Sequence, residues 1–592
     1  MTWFSLQGKV ATGLLCVLLA CAACDPRQES PTPAVSTRGY LGKAELLNGQ
    51  APAAPVSASA FAPGETAITS NQLEGRLSLD TGSADINLIK LFDLFESTED
   101  EELRIGTLPP IGLEVIQDGQ NLIPVQRGRQ DSAHPYWEWV VEPGKAWDEP
   151  GDEGWTRASL PFALLQRNAN CTHNGMMSFL FRSDGSISPL SFQIASETCY
   201  YLKFDMWGTV PLNYQPGEVG SREELKAAYR AEAAARLPVK PLSDLAEDYP
   251  GARPEHFLNH DISTVSTYGF LIDGTHYSGG CPSRYGPLPY CEVLDLPSYS
   301  LAKTIIGGTV LMQLEQLYPG ARSLLVSDYV PECAGDDRWD GVTLEHLLDM
   351  STGNYLSTVD QEDEFLAYQG PMFSEEEHAA KIAQACSQFP RNSEPGTTWV
   401  YHTTDTYIAG AVMNAFLKEQ TGADNDFYDD LFAARVLAPL NFSPTMQATL
   451  RSYDDTAQPF TGYGLTLLAD DVVRYADFLM NSRGEISGEQ ILNPQLLSAA
   501  LQQDPSDPGM TVEQGTMRYN NGLWAANLLP VETCPDETWI PLMSGYGGIS
   551  VALLPNNTVY YVFTDGAQFK WAQAALESNR LKPFCENPAH DL

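Results

Sequence analysis

The chain has 592 residues, 43% hydrophobic and 19% charged, which is enough apolar material for more than one buried core. Its 76 acidic residues against 35 basic ones give a formal charge of −41. That balance argues against a basic face for nucleic-acid phosphates and against polybasic attraction to anionic lipid.

Lys9 precedes an apolar run from Val10 to Ala23. About 14 residues are too few to span a bilayer, but they suit the core of a signal peptide. The run closes in small residues and cysteines, Leu18 to Asp25, which resembles a bacterial lipoprotein cleavage site. Either Cys21 or Cys24 can become the lipidated N-terminus, and an ordinary secretory signal is the alternative. The expectation is a signal at 1–24, a flexible tether at 25–36 and an exported lipoprotein. Its lipid anchor would hold it on the periplasmic side of the inner or outer membrane, or on the cell surface. A second Ala/Pro/Ser-rich stretch, 50–63, has the composition of a spacer.

Three of the 11 cysteines lie in the leader. The other eight are Cys171, Cys199, Cys281, Cys291, Cys333, Cys386, Cys534 and Cys585. An even set without a CxxC pair in an exported chain points to disulfides rather than metal. Sequence neighbours are expected to pair: 171–199, 281–291, 333–386 and 534–585. Lipidation of Cys21 would strand Cys24, so parity favours Cys24.

Residues 37–218 read as a β-rich, sandwich-like domain of unknown function. Ile111 to Ile116, Met177 to Arg182 and Tyr200 to Val210 alternate with a period of two and are broken by Gly, Pro and Asn. Trp137, Trp139, Trp147 and Trp155 fit either a sandwich core or a ligand platform, and the core is the simpler reading. Residues 219–250 read as a helical connector, with a helix from Ser221 to Leu237 stopped by Pro238. Residues 251–592 read as an α/β domain. A strand at Thr267 to Asp273 and strands at 548–555 and 558–564 flank helices at 301–317, 343–350, 406–419 and 468–481.

The chemistry-bearing motif is Ser300-Leu301-Ala302-Lys303. A serine at the first turn of a helix sits at the positive end of the dipole, and a lysine three residues on lies on the same face. Burial can depress that ammonium until it accepts a proton. A capping serine with a surface lysine is the bland reading. Further motifs follow in order: Asp328-Tyr329-Val330-Pro331-Glu332, Val342 to Gly353, Pro395-Gly396-Thr397-Thr398-Trp399-Val400-Tyr401-His402-Thr403, and Gly462 to Asp471.

Together these resemble the serine β-lactamase and penicillin-binding-protein superfamily, in its class C-like branch of esterases and DD-peptidases. The resemblance covers about residues 265–570. It implies a β-lactamase-like transpeptidase fold and an acyl-enzyme cycle without metal or cofactor. Ser300 would be the nucleophile, Lys303 its activator and Tyr401 the proton carrier to the leaving group. Thr403 stands where the family usually has Asn or Ser. The family's third motif, a cation before Ser/Thr-Gly, is replaced by Met543-Ser544-Gly545-Tyr546-Gly547-Gly548. Ser544, Tyr546, Gly547 and Gly548 are therefore candidates for substrate contact. Backbone N–H groups of Ser300 and of the Gly547–Ile549 stretch are candidates for the oxyanion hole.

Without that cation, neutral esters or amides, small-molecule or peptide, are expected ahead of β-lactams and D-alanyl peptides. Arg284 or Arg391 could supply the missing charge. A DD-peptidase or β-lactamase, and a degenerate binding lipoprotein, are the rival readings. Asp80-Thr81-Gly82 reads as a turn, His256 and His260 lack the glutamate of a zinc motif, and Tyr519-Asn520-Asn521 reads as a structural strand. His402 could face the cleft or turn away.

Overall fold

The computed structural model describes residues 41–64, 68–335, 337–368, 370–528, 531, 533–534 and 537–585. The expected signal and tether, with Cys21 and Cys24, lie outside the described residues. Among the described residues, no helix is long and apolar enough to cross a membrane.

The N-terminal region is built on one 11-stranded antiparallel sheet. Its path runs through Leu212–Pro216, Gly75–Leu79, Gly112–Asp118, Asn121–Pro124, Gly144–Asp148, Thr156–Gln166, Thr172–Phe181, Leu190–Thr198, Leu202–Val210 and Asp85–Asp93. Trp137–Val141 pairs beside the path with Thr156–Gln166. The expected two-sheet sandwich is thus corrected to one continuous ladder. The reason lies in Thr156–Gln166, long enough to pair with Gly144–Asp148 at one end and Trp137–Val141 at the other. Register shifts at Asn174/Gly175 and Lys203/Phe204 bend the sheet without cutting it.

Alternation still sorts the faces. Trp137, Trp139 and Val141 enter the core with Phe162, Phe179, Phe192 and Phe204. Trp147 is fully buried as well, so these tryptophans are packing residues. Trp155 is half-buried, beneath the Arg182 guanidinium at 4.4 Å.

The 50–63 stretch is also corrected: it is a strap, not a free spacer. Ala60 and Phe61 pack on Met176 and Leu180. The Gln193 side chain grips both backbone groups of Val56, at 2.7 and 2.9 Å. The connector helix spans Arg222–Ala235. It lies on the sheet through Leu225 and Tyr229, and Glu232 pairs with the buried Arg127.

The C-terminal sheet has nine strands in the order Val239–Pro241, Thr275–Ser278, Val265–Ile272, Thr558–Thr564, Ile549–Leu554, Trp539–Gly545, Leu523–Asn527, Met517–Asn520 and Met510–Val512. Strands from the beginning and end of this region are central neighbours, as the 267–273 and 558–564 patterns imply. Val551, Leu553, Tyr561 and Phe563 face the helices that carry the motifs. Ala552, Leu554, Tyr560 and Val562 face Phe257 and the helix Ala572–Leu581. The result is a three-layer α/β region with helices on both faces of the sheet. The cysteines pair as 171–199, 281–291, 333–386 and 534–585.

Candidate active site

Ser300 lies in the turn before the first helical residue, Leu301. The strand Leu296–Pro297 pairs with Thr466–Leu467 and delivers the chain to this turn. Tyr299 sits at φ 41, in the left-handed region where a non-glycine residue is strained. The helix then opens with a π-helical segment, Lys303–Gly308, before becoming α-helical over Thr309–Leu317. The uniform helix expected at 301–317 is corrected accordingly. Close approach accompanies the wide turn: a Cβ on Gly308 would lie 2.5 Å from the Asn521 carbonyl.

Lys303 is fully buried. Its ammonium donates to Ser300 Oγ at 2.9 Å, to Thr403 Oγ1 at 2.9 Å and to the Gly462 carbonyl at 3.2 Å. Burial lowers the Lys303 pKa to about 8, and the Glu364 carboxylate partly opposes that fall. Gly462 is required sterically, since a Cβ there would meet Thr406 Oγ1 at 2.4 Å.

Tyr401 reaches the same point from the Pro395–Thr403 motif. Val400 N–H donates to the Met350 carbonyl at 2.9 Å, and Gly396 N–H to the Ser351 carbonyl at 2.7 Å. These bonds pin the Tyr401 segment to the Val342–Gly353 motif. The Tyr401 ring stacks on Trp524 and meets Tyr519 edge-on. Tyr519 is thereby a packing residue on the strand Met517–Asn520, as its motif context implies. Lys303 Nζ stands 4.9 Å from the centre of the Tyr401 ring. Burial first, then Glu364, pushes the Tyr401 phenol well above its ordinary value, while a hydrogen bond with Ser300 opposes this. Tyr401 is therefore a neutral phenol at rest.

Two partners escaped the sequence reading. Glu364 accepts hydrogen bonds from Thr403 N–H, at 2.8 Å, and from the Thr403 hydroxyl. A polar chain runs from Glu364 through Thr403 to Lys303 and Ser300. Glu364 comes from the short helix Glu362–Tyr368, where it is one of three successive acidic residues. Nothing in that run distinguishes a site residue from a solvated first turn. The second partner is the clasp on His402, which turns inward and is buried. Its ring lies 3.3 Å from Asp405 and 3.2 Å from Asp363. The two carboxylates outweigh burial and raise its pKa to about 9. The imidazolium thus ties the helix bearing Glu364 to the helix Thr403–Thr421.

Ser544 is buried on Trp539–Gly545, opposite Ser550. A Cβ on the next residue, Gly545, would lie 3.1 Å from the Ser298 carbonyl, so this strand end abuts the Ser300 turn. Gly547 and Gly548 have φ values of 87 and 106, a conformation open to glycine. Tyr546 is partly exposed and packs among Tyr299, Tyr200 and Tyr201, the last two from the turn between the strands Leu190–Thr198 and Leu202–Val210. The two candidate replacement cations are committed elsewhere. Arg284 pairs with Glu197 and Asp205 at 2.7 and 2.6 Å. Arg391 is held by the Asp340 carbonyl at 2.6 Å and by Glu394 at 3.1 Å. His256 faces Glu577. Among the described residues, no group of three or more His, Cys, Asp or Glu could hold a metal ion.

Residues 296–568 match the Beta-lactamase family model. The chain also aligns with a candidate beta-lactamase from Bacteroides dorei DSM 17855, at 16% identity and a TM-score of 0.38. That alignment covers 58% of this chain and 96% of the other. A D-stereospecific amidohydrolase from Streptomyces sp. aligns at 16% identity and a TM-score of 0.37, over 53% of this chain and 94% of the other. No curated protein matches the chain.

Proposed function

From residues 296–568, which belong to the serine β-lactamase and penicillin-binding-protein superfamily, we propose an exported serine hydrolase that cleaves a carboxylic ester or amide. The observation that carries this reading is the 2.9 Å bond from the buried, pKa-lowered Lys303 to Ser300 Oγ. Ser300 Oγ attacks the carbonyl as its proton passes to the neutral fraction of Lys303. Tyr401 donates its phenol proton to the departing alcohol or amine and is reprotonated from the Lys303 ammonium through the shared Ser300 position. Water then hydrolyses the acyl-Ser300 ester by the reverse relay, which leaves the free acid and the original protonation states. Backbone N–H groups of Ser300 and the Gly547–Ile549 stretch stabilise the oxyanion. Thr403 acts as a hydroxyl bridge in place of the Asn or Ser usual in the family. Ser544 and Tyr546 border the substrate.

Lipidation of Cys24 or Cys21 holds the chain on the periplasmic side of the inner or outer membrane, or on the cell surface. The four disulfides fit such an oxidising location. Neutral substrates are favoured because Arg284 and Arg391 are bound in other ion pairs and no cation replaces the third-motif one at Met543–Tyr546.

A fluorophosphonate probe with mass mapping of the modified residue tests the reading. Label on Ser300 is the expected result. Failure of the native chain to label there would favour a binding lipoprotein of the same fold.

A further inference from the structure

The hairpin tip between the strands Thr156–Gln166 and Thr172–Phe181 leaves the N-terminal sheet and enters the catalytic region. Arg167 pairs with Glu376 at 2.6 Å and lies 3.8 Å over the Tyr453 ring. The Asn168 amide donates to the Phe373 and Glu375 carbonyls at 3.0 and 2.8 Å. The disulfide Cys171–Cys199 fixes the tip at its base.

Asn170 reaches furthest, and it is buried. Its Oδ1 accepts from Tyr299 N–H at 2.7 Å, from the Ser298 hydroxyl at 3.1 Å and from Gly464 N–H at 2.9 Å. Its Nδ2 donates to the Leu465 carbonyl at 3.3 Å. The Ser298 hydroxyl also accepts from Leu465 N–H at 3.1 Å. One amide therefore joins the two backbone segments that set the Ser300–Lys303 geometry. The first is the turn before Ser300, where Tyr299 holds its strained φ. The second contains Gly462, whose carbonyl holds the Lys303 ammonium.

Resting on the hydrolase reading above, we infer that Asn170 is a positioning residue through which the N-terminal sheet organises the catalytic serine. Without its acceptor, the Tyr299 and Gly464 N–H groups would be buried and unpaired. The left-handed turn would then lose the bond that offsets its strain. Relaxation of that turn displaces Ser300 from Lys303, and displacements near 1 Å cost on the order of a hundredfold in rate.

The test uses the full chain. Asn170→Ala is expected to lower fluorophosphonate labelling of Ser300, and kcat on p-nitrophenyl butyrate, by about tenfold or more, with KM changed less than about twofold. Asn170→Asp keeps an acceptor and should recover part of that loss. Asn168→Ala is the control: it weakens the same tip without touching the Ser300 turn, so it should lower the melting temperature but leave labelling of folded protein unchanged. Hydrogen exchange supplies a readout independent of activity, with faster exchange at 298–301 and 463–466 in Asn170→Ala only. If the Asn170 variants do not fold, Ser298→Ala breaks the same link from the catalytic side and should slow labelling severalfold. Folded Asn170→Ala, or failing that Ser298→Ala, that labels within twofold of the parent and keeps its exchange protection overturns the inference. A parent chain unlabelled at Ser300 breaks the hydrolase reading instead, and the exchange experiment still decides the role of Asn170.

Discussion

The two sheets use burial differently. In the C-terminal sheet, the central strands Ile549–Leu554 and Thr558–Thr564 are buried mainly by apolar residues on both faces. In the N-terminal sheet, Trp137, Trp139 and Val141 fill one face, while the opposite face carries Glu138 and Glu142, fully buried. Those carboxylates are paired. Glu138 meets Arg129 and the Tyr453 hydroxyl, and Glu142 meets Arg127 at 2.6 Å and the Thr445 hydroxyl. Tyr453 and Thr445 belong to the region that matches the Beta-lactamase family model. The polar face that alternation would assign to solvent is a docking face for the second half of the chain. Burying such pairs costs desolvation, so they indicate a fixed orientation of the two halves more than added stability.

That contrast accounts for what the sequence made legible. Ser300, Lys303 and Tyr401 were visible because each sits in a local motif whose order survives any loop change. The eight cysteines from Cys171 onward were visible as an even set, and the close pairs proved to be the bonded ones. The strand alternation of the N-terminal half was visible too, but not its single-sheet ladder, which depends on how one long strand shares its edge. Glu364 and Asn170 were invisible for a common reason. Each is an ordinary polar residue in a turn or helix start, and it gains its role only from partners 39 to about 300 residues away. The 50–63 strap looked like a linker because its anchor, Gln193, lies on a distant strand.

The largest expected effect isolates the catalytic half. Ser300→Ala should reduce turnover of p-nitrophenyl butyrate by about a thousandfold or more, because the acylation step has no substitute. The melting temperature should stay within a few degrees, since Ser300 contributes one partly exposed hydroxyl. Steady-state rates beside a thermal melt check both halves of the statement, and activity near the parent's would remove Ser300 from the mechanism.

The next effect crosses between the halves. Replacing Cys171 and Cys199 with alanine opens a crosslink spanning 28 residues. Such a link is worth roughly 2–4 kcal/mol, so a lower midpoint in urea is expected. If the hairpin tip also organises the site, labelling of Ser300 should slow in the protein that remains folded. Lost stability with an unchanged labelling rate would mean that the tip holds its place without the disulfide.

Substrate choice comes third. A charge-assisted pair to a substrate carboxylate is worth about 1.5–3 kcal/mol, or roughly tenfold and upward in rate. With Arg284 and Arg391 already bound elsewhere, p-nitrophenyl butyrate should exceed nitrocefin in kcat/KM. Nitrocefin better by about tenfold would show that a cation does reach the cleft.

The smallest effect concerns the acid residue that local motifs did not reveal. If neutral Lys303 is the proton acceptor, kcat/KM should rise with pH through the Lys303 value near 8. Stability should rise from about pH 8 toward the ordinary lysine value of 10.5, because over that interval the depressed lysine binds fewer protons in the folded state than in the unfolded chain. The Glu364 carboxylate favours the ammonium and so holds this value up. Glu364→Gln keeps the size of the side chain and an acceptor for Thr403 but removes the charge. The limb of the kcat/KM profile should therefore move to lower pH, by less than about one unit for a charge acting through an intervening hydroxyl. The plateau rate should fall little if Glu364 acts only through this field. A limb that moves to higher pH would overturn the sign of the Glu364 field, and one that stays in place would show that Thr403 insulates Lys303 from Glu364. The catalytic pair would then be tuned by burial alone.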